Sequence, residues 1–304
     1  MTAPRVAVTG ATGHVGGLVA RALAAAGTPQ RLVVRDARRA PDLPGATVAV
    51  AAYDDGPAVR AALTGVDVVL LVSASESADR VDRHRTAVDA AAAAGVRHVV
   101  YTSFLGAAPD ATFTLARDHW STEQHLRASG MAHTVLRDSL YLDVLPEFAG
   151  DDGVLRGPAG HGAVGAVARA DVARAATAVL TDVLTDVRTG SPAGGGSAGR
   201  ADGPAGRDAH HGRTYDLTGP QALTLADVAR VVTEVTGRAV RFEDETVEEA
   251  YASRAPSGAP RWQLDAWVST YTAIARGELA AVTGDVERLT GRRPLSLRQV
   301  LTGR

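Results

Sequence analysis

The 304-residue chain contains no lysine and no cysteine. All 32 of its basic side chains are therefore arginines. Without lysine there is no Schiff-base chemistry, no lysine-dependent P-loop and no mechanism built on a Tyr-Lys pair. Without cysteine there are no disulfides, thiolate nucleophiles, zinc–thiolate sites or iron–sulfur clusters. The sequence also lacks an uninterrupted apolar run near the ~20 residues that a membrane-spanning helix requires, so no membrane partner is expected. A strand-like run, Arg5-Val6-Ala7-Val8-Thr9, comes almost at once, so no secretory segment and a cytoplasmic location are expected. A charge surplus is missing too. Thirty-four acidic residues against 32 basic ones leave a formal charge of -2, and no nucleic-acid partner is expected.

What is present is an ordinary globular composition, 45% hydrophobic and 22% charged, in alternating strand-like and helical segments. Val6-Ala7-Val8, Leu32-Val33-Val34, Val48-Ala49-Val50, Val66 to Val72, Val96 to Tyr101 and His133 to Arg137 read as strands. Between them Val15 to Ala26, Ala58 to Leu63, Asp82 to Ala94 and Asp118 to Ser129 read as helices. Near-continuous apolar strands of this kind belong to a parallel sheet covered on both faces. The expected fold is α/β, a Rossmann-type doubly wound sheet with a smaller α/β C-terminal substrate lobe. The division expected is 1–145 for the nucleotide-binding domain, with 160–182 and 214–218 returning to it, and 146–304 for the lobe.

Residues 186–212 are rich in Gly, Ala, Ser, Pro and Arg and are expected to form a flexible surface insertion. The paired His210 and His211 at its end have no partner ligand at suitable spacing, so no metal site is expected. Beyond it, Thr214 to Leu217 and Val240 to Phe242 read as strands. Helices are expected from the capping-box sequence at Thr224 to Thr236, over Trp262 to Arg276, and from Ser296.

Thr9-Gly10-Ala11-Thr12-Gly13-His14-Val15-Gly16 follows the first strand and opens the first helix. Gly10 turns the chain sharply, Gly13 lets a pyrophosphate approach the backbone, and Gly16 lets the helix pack closely. This position predicts dinucleotide binding. Arg35, directly after the second strand, suits a 2′-phosphate by charge and geometry and favours NADPH over NADH, with Arg38 and Arg39 as reinforcement. Asp36 argues the other way, because a one-residue shift would make it a ribose ligand.

Several segments in order resemble one family: Thr9 to Gly13, Val33-Val34-Arg35, Leu71 to Glu76, His84-Arg85, Ala94 to Ser103, and Leu136 to Tyr141. Together they resemble the NmrA-like, atypical short-chain dehydrogenase/reductases, in the branch of type 2 NADPH:quinone oxidoreductases with triphenylmethane reductases as neighbours. The resemblance implies cofactor contacts at Gly10, Ala11, Thr12, Gly13, His14, Val15, Arg35, Val72, Ser73 and Ala74. It adds Arg137, Asp138, Ser139, Leu140, Tyr141, Leu142 and Arg169. Two positions depart from the pattern: Ala52 replaces a usual Asp, and Asp138 stands where the quinone reductase branch has Asn.

The helix that would carry a Tyr-Lys pair reads His119-Trp120-Ser121-Thr122-Glu123 instead. His119 is a candidate proton donor oriented by Glu123, against the alternative that both merely line the helix. Ser103 and Tyr141 are the other catalytic candidates, with Tyr101 a further hydroxyl. Trp262, Trp267, Tyr271 and Phe148 are candidate walls of an acceptor cleft. Two functions stay open. One is an NADPH-dependent oxidoreductase that passes hydride to a quinone-like or other conjugated electrophilic small-molecule acceptor. The other is a non-catalytic NADP(H)-binding redox sensor of the NmrA type. A second copy of the chain, in a homodimer, stays open as a partner.

Overall fold

The computed structural model describes residues 5–189 and 209–303. The first half reads β1 (Val6–Thr9), α1 (His14–Ala25), β2 (Gln30–Val34), β3 (Ala46–Val50), α2 (Gly56–Leu63), β4 (Val68–Leu71), α3 (Arg80–Ala93), β5 (His98–Phe104), α4 (Thr114–Ala128) and β6 (Ala132–Asp138). The second half continues with β7 (Val154–Gly157), β8 (Ala163–Val164), α5 (Arg169–Arg188), β9 (Arg213–Leu217), β10 (Leu223–Thr224), α6 (Leu225–Thr236), β11 (Arg241–Asp244), α7 (Val247–Arg254), α8 (Arg261–Ala275), α9 (Asp285–Thr290) and α10 (Leu297–Thr302).

Seven strands form one sheet in the order β3-β2-β1-β4-β5-β6-β9, every neighbouring pair parallel. This is the expected doubly wound Rossmann-type fold. The period of two divides each strand between two cores. Val6, Val8, Val68 and Leu70 pack with α1 and α5, while Ala7, Val69, Leu71 and Tyr101 pack with α2, α3 and the Leu126 end of α4. With both faces covered, the rims are left for ligands, and the carboxyl ends of all seven strands share one rim.

A third core gathers Leu145, Leu155, Val164, Leu225, Val228, Tyr271, Ile274 and Leu297, together with Phe104 and Phe113 from the sheet side. Two small ladders serve it: β7 with β11 in parallel, and β8 with β10 antiparallel. β7, β8, α5, α7 and α9 have no counterpart among the elements read from the sequence, and α4 begins at Thr114 rather than Asp118.

The stretch expected as an insertion at 186–212 is structured at both ends. α5 runs on to Arg188, and residues 209–212 turn directly into β9. Residues 190–208 lie outside the described ones.

Candidate functional site

Gly10 leaves β1 with φ +63°, a left-handed conformation that suits glycine. The Gly13 amide donates to the Gly10 carbonyl at 2.9 Å and closes a tight turn. α1 then starts at His14 behind Gly13, and no side chain caps this end. Its first amides and the positive end of its dipole are thereby left for an anion. A methyl on Gly16 would stand 2.7 Å from the Thr9 carbonyl oxygen, so only glycine lets the helix begin so close to the strand. Thr12, Gly13 and His14 are exposed on this turn, whereas Ala11 and Val15 are buried beneath it.

Arg35 is exposed immediately beyond β2 and makes no ion pair among the described residues, nor does Arg39. Asp36 is differently occupied. Its carboxylate accepts the Arg38 amide at 3.0 Å and the Arg38 guanidinium at 3.0 and 2.9 Å. Those bonds hold it below the usual carboxylate range and fold it onto its own turn. The free charge at this strand end is therefore cationic.

The segment Val72-Ser73-Ala74 after β4 is held by side chains at every amide. Val72 donates to Thr9 Oγ1 at 2.9 Å, Ser73 to Thr102 Oγ1 at 2.8 Å, and Ala74 to His84 Nε2 at 2.8 Å. The Tyr53 hydroxyl donates to the Val72 carbonyl at 2.7 Å and lies 2.5 Å from Thr9 Oγ1. Tyr53 thus fastens the strand ends beside the position where Ala52 replaces a carboxylate. Because His84 Nε2 accepts an amide proton, the ring is neutral with its proton on Nδ1, facing Thr122 Oγ1 at 3.0 Å.

The family model described as NAD(P)H-binding matches residues 10–183, from the glycine turn through most of α5. The chain belongs to that family. Quinone oxidoreductase 2 of Escherichia coli is 31% identical, over 94% of this chain and 93% of the relative. An NAD(P)H azoreductase of Xenophilus azovorans matches with the same identity and coverage. Among solved structures, the Escherichia coli NADPH-dependent quinone oxidoreductase in complex with NADPH superposes with a TM-score of 0.81, covering 98% of this chain and 99% of that one. The triphenylmethane reductase of Citrobacter sp. complexed with NADP(H) is 28% identical, with a TM-score of 0.79 over 98% and 99%. The negative transcriptional regulator NmrA, at 16% identity and a TM-score of 0.71, shares the fold. The resemblance read from the sequence is borne out at the level of family and fold.

Within this NAD(P)H-binding chain, the proposed catalytic pair on α4 is not a pair. His119 is buried, and its Nε2 accepts from Arg80 Nη2 at 2.8 Å while Nδ1 lies 3.0 Å from the Tyr101 hydroxyl. Burial, and then the Arg80 charge, push its pKa well below the usual histidine value. It is therefore neutral near pH 7, and its one remaining proton, on Nδ1, faces the Tyr101 hydroxyl. Glu123 does not touch it. That fully buried carboxylate accepts Ser103 Oγ at 2.6 Å, Arg137 Nε and Nη2 at 2.8 Å each, and Arg127 at 3.0 Å. Ser103 and Arg137 are neighbours across β5 and β6, so both project toward α4 and are consumed there. Arg137 points into this buried pair and away from the nucleotide rim.

Arg80 is the residue that sequence reasoning missed. It is buried, and its Nε donates to the Ala74 carbonyl at 2.9 Å while Nη1 stands 3.7 Å from Asp118. It therefore ties the β4 rim segment to α4.

Asp138 ends β6 on the same rim and is buried. It accepts the Tyr141 hydroxyl at 2.7 Å, and the Arg169 guanidinium lies 5.2 Å over the Tyr141 ring. Burial pushes the Asp138 carboxyl up to about 7, against the opposing hydrogen bond of Tyr141 and charge of Arg80. Ser139 Oγ is buried there without a hydrogen-bond partner among the described residues, which fits a rim built to receive a polar ligand. Leu140 and Leu142 pack into the third core, and Leu142 is fully buried. Of the candidate aromatic walls, Tyr271 and Phe148 belong to that core, while Trp267 Nε1 reaches Glu76 at 3.3 Å across the rim.

His210 and His211 serve the opposite rim. His210 contacts the Tyr215 hydroxyl at 2.9 Å and Asp182 at 3.2 Å, and His211 Nδ1 accepts the His133 amide at 3.4 Å. Among the described residues no cluster of three or more potential metal ligands occurs, and no helix is long and apolar enough to cross a membrane.

Proposed function

We propose that this NAD(P)H-dependent oxidoreductase binds NADPH along the carboxyl rim of its sheet and reduces a quinone-like or otherwise conjugated electrophilic acceptor, without a Tyr-Lys pair. The carrying observation is the uncapped, glycine-built start of α1 beside the unpaired Arg35. Nearly the full length of the chain is shared with proteins named as quinone, azo and triphenylmethane reductases. When bound, NADPH supplies a hydride from its dihydronicotinamide.

The chain's own work is positional. The amides of Gly13 to Val15 would hold the pyrophosphate, and Arg35 with Arg39 would hold the 2′-phosphate. The braced Val72 to Ala74 segment forms a fixed wall, with Ser139, Tyr141 and Arg169 on the other side of the crevice. Acceptors of this class spread the incoming electron pair over a π-system, so they need little acid catalysis. That fits a site where His119 and Ser103 are withdrawn into structural roles while Ser139 and Tyr141 leave hydroxyls on the rim.

Anaerobic mixing of the protein with NADPH and a panel of small quinones tests the reading. Loss of the reduced-nicotinamide absorbance is the expected result. Tight NADPH binding with no oxidation of it by any quinone would overturn the reading in favour of a sensor.

A further inference from the structure

We infer that Asp138 is a proton reserve for the site: it recharges the Tyr141 hydroxyl, which protonates the acceptor oxygen after hydride arrives. The inference rests on the reductase reading above and adds the source of the second proton.

The geometry supplies the path. Asp138 is the last residue of β6, Tyr141 follows three residues later, and the Tyr141 hydroxyl meets Asp138 Oδ2 at 2.7 Å. Asp138 is only 5% exposed and forms no ion pair among the described residues. The contrast with Glu123 is direct, since that buried carboxylate has two arginines to neutralise it. A buried carboxyl without such a partner favours its protonated form.

The charged and titratable groups around it come from several elements. Arg80 on α3 acts at longer range, Arg169 at the start of α5 covers the Tyr141 ring, and His119 on α4 is neutral. Burial outweighs the arginines and leaves the carboxyl poised near neutrality, where a proton can be both held and released. The two other catalytic candidates read from the sequence are engaged elsewhere: His119 accepts from Arg80, and Ser103 donates to Glu123. An Asn at this position could hydrogen-bond but could not carry a transferable proton.

The step balances. Hydride brings the acceptor two electrons and one proton, and the electron pair settles on its oxygen. That oxygen takes the Tyr141 proton as the Tyr141 O–H bond breaks. For this the 2.7 Å contact turns round, so that protonated Asp138 donates to the Tyr141 oxygen and the phenol O–H faces the acceptor. Tyr141 then takes the proton of Asp138, and the resulting carboxylate regains one from water. The acceptor is reduced, the dihydronicotinamide is oxidised, and one solvent proton is consumed.

Two measurements test the relay, the first without nucleotide. Infrared difference spectra of the wild-type protein should show a protonated carboxyl band at pH 6 that is lost by pH 8 and is absent from Asp138→Asn. The second is NADPH oxidation with menadione as acceptor. Wild-type kcat should fall by up to about tenfold per pH unit above about pH 7, and D138N and Y141F should be slower with a flat profile. Far-UV circular dichroism matching the wild type in both variants excludes misfolding. Wild-type activity with Asp138 already ionised at pH 6, or an unaltered pH profile in D138N, overturns the relay alone. No menadione reduction at any pH, with Asp138 titrating as described, overturns the reductase reading and the relay that depends on it.

Discussion

The imidazole of His119 accepts a hydrogen bond from the Arg80 guanidinium at 2.8 Å, and this contact fixes its protonation state. Arginine can only donate, so Nε2 must keep its lone pair. Removing the ring in His119→Ala leaves a buried N–H of a charged group unsatisfied and should cost about 1–3 kcal/mol of folding stability. His119→Gln, which restores an acceptor, should recover part of that loss. In both variants the shape of the pH–rate profile should match the wild type. A profile whose acidic or basic limb vanishes in H119Q would return His119 to the chemistry.

Fully buried Glu123 pairs with half-buried Arg137 at 2.8 Å, and Ser103 completes the contact. Glu123→Ala leaves a guanidinium uncompensated and should destabilise the fold by about 3–5 kcal/mol. Ser103→Ala should cost about 1.5–3 kcal/mol, because it removes one bond to a charged acceptor. The double variant should lose less than the sum, since Ser103 has no partner once Glu123 is gone. Urea unfolding of the four proteins gives the coupling directly.

Arg35 has no competing anion among the described residues, so its contribution should appear in full on binding. Arg35→Ala should weaken NADPH binding by about 1.5–3 kcal/mol, which is about ten- to a hundredfold in Kd. NADH binding should change little. Titration calorimetry with both nucleotides decides this, and equal losses would remove the 2′-phosphate assignment.

His84 and His98 are both buried and pushed down to about 3, chiefly by burial, with Arg80 next for His84 and His211 next for His98. The unfolded chain binds protons at these positions below the usual 6.5, while the folded chain refuses them. Stability is therefore complete above pH 6.5 and falls as pH drops toward 3, by about 1.4 kcal/mol per unit for each group. Asp138 has the opposite sign. Its folded value of about 7 lies above the usual 3.8, so its contribution is complete below pH 3.8 and is lost as pH rises to about 7. Chemical denaturation between pH 4 and pH 8 should show a steeper acid loss in D138N than in the wild type, and a shallower one in H98Q.

The alternating apolar segments made the doubly wound sheet legible, since each strand's valines and leucines serve two covered faces. The glycine turn and Arg35 were legible because their roles depend on neighbours in sequence. Arg80 was not. It lies in the run Asp79-Arg80-Val81-Asp82-Arg83-His84-Arg85, which looks like a solvated helix face, and only the packing of α3 against α4 buries one of its arginines. The i,i+4 spacing of His119 and Glu123 correctly placed both on one face of α4, yet each found its partner on a different element. Spacing along a helix decides direction, and tertiary contacts decide who is met. β7 was invisible for a related reason, as its partner strand β11 lies more than eighty positions further along the chain.

Since all seven strands run the same way, the sheet has a working end and an idle end. α5 starts beside Tyr141 at the first and finishes near Asp182 and His210 at the second, where the chain re-enters at Ala209. The described ends of that connection, Thr189 and Ala209, both lie at the idle end, so a reporter or affinity handle joined to either starts a full strand's length from any bound nucleotide.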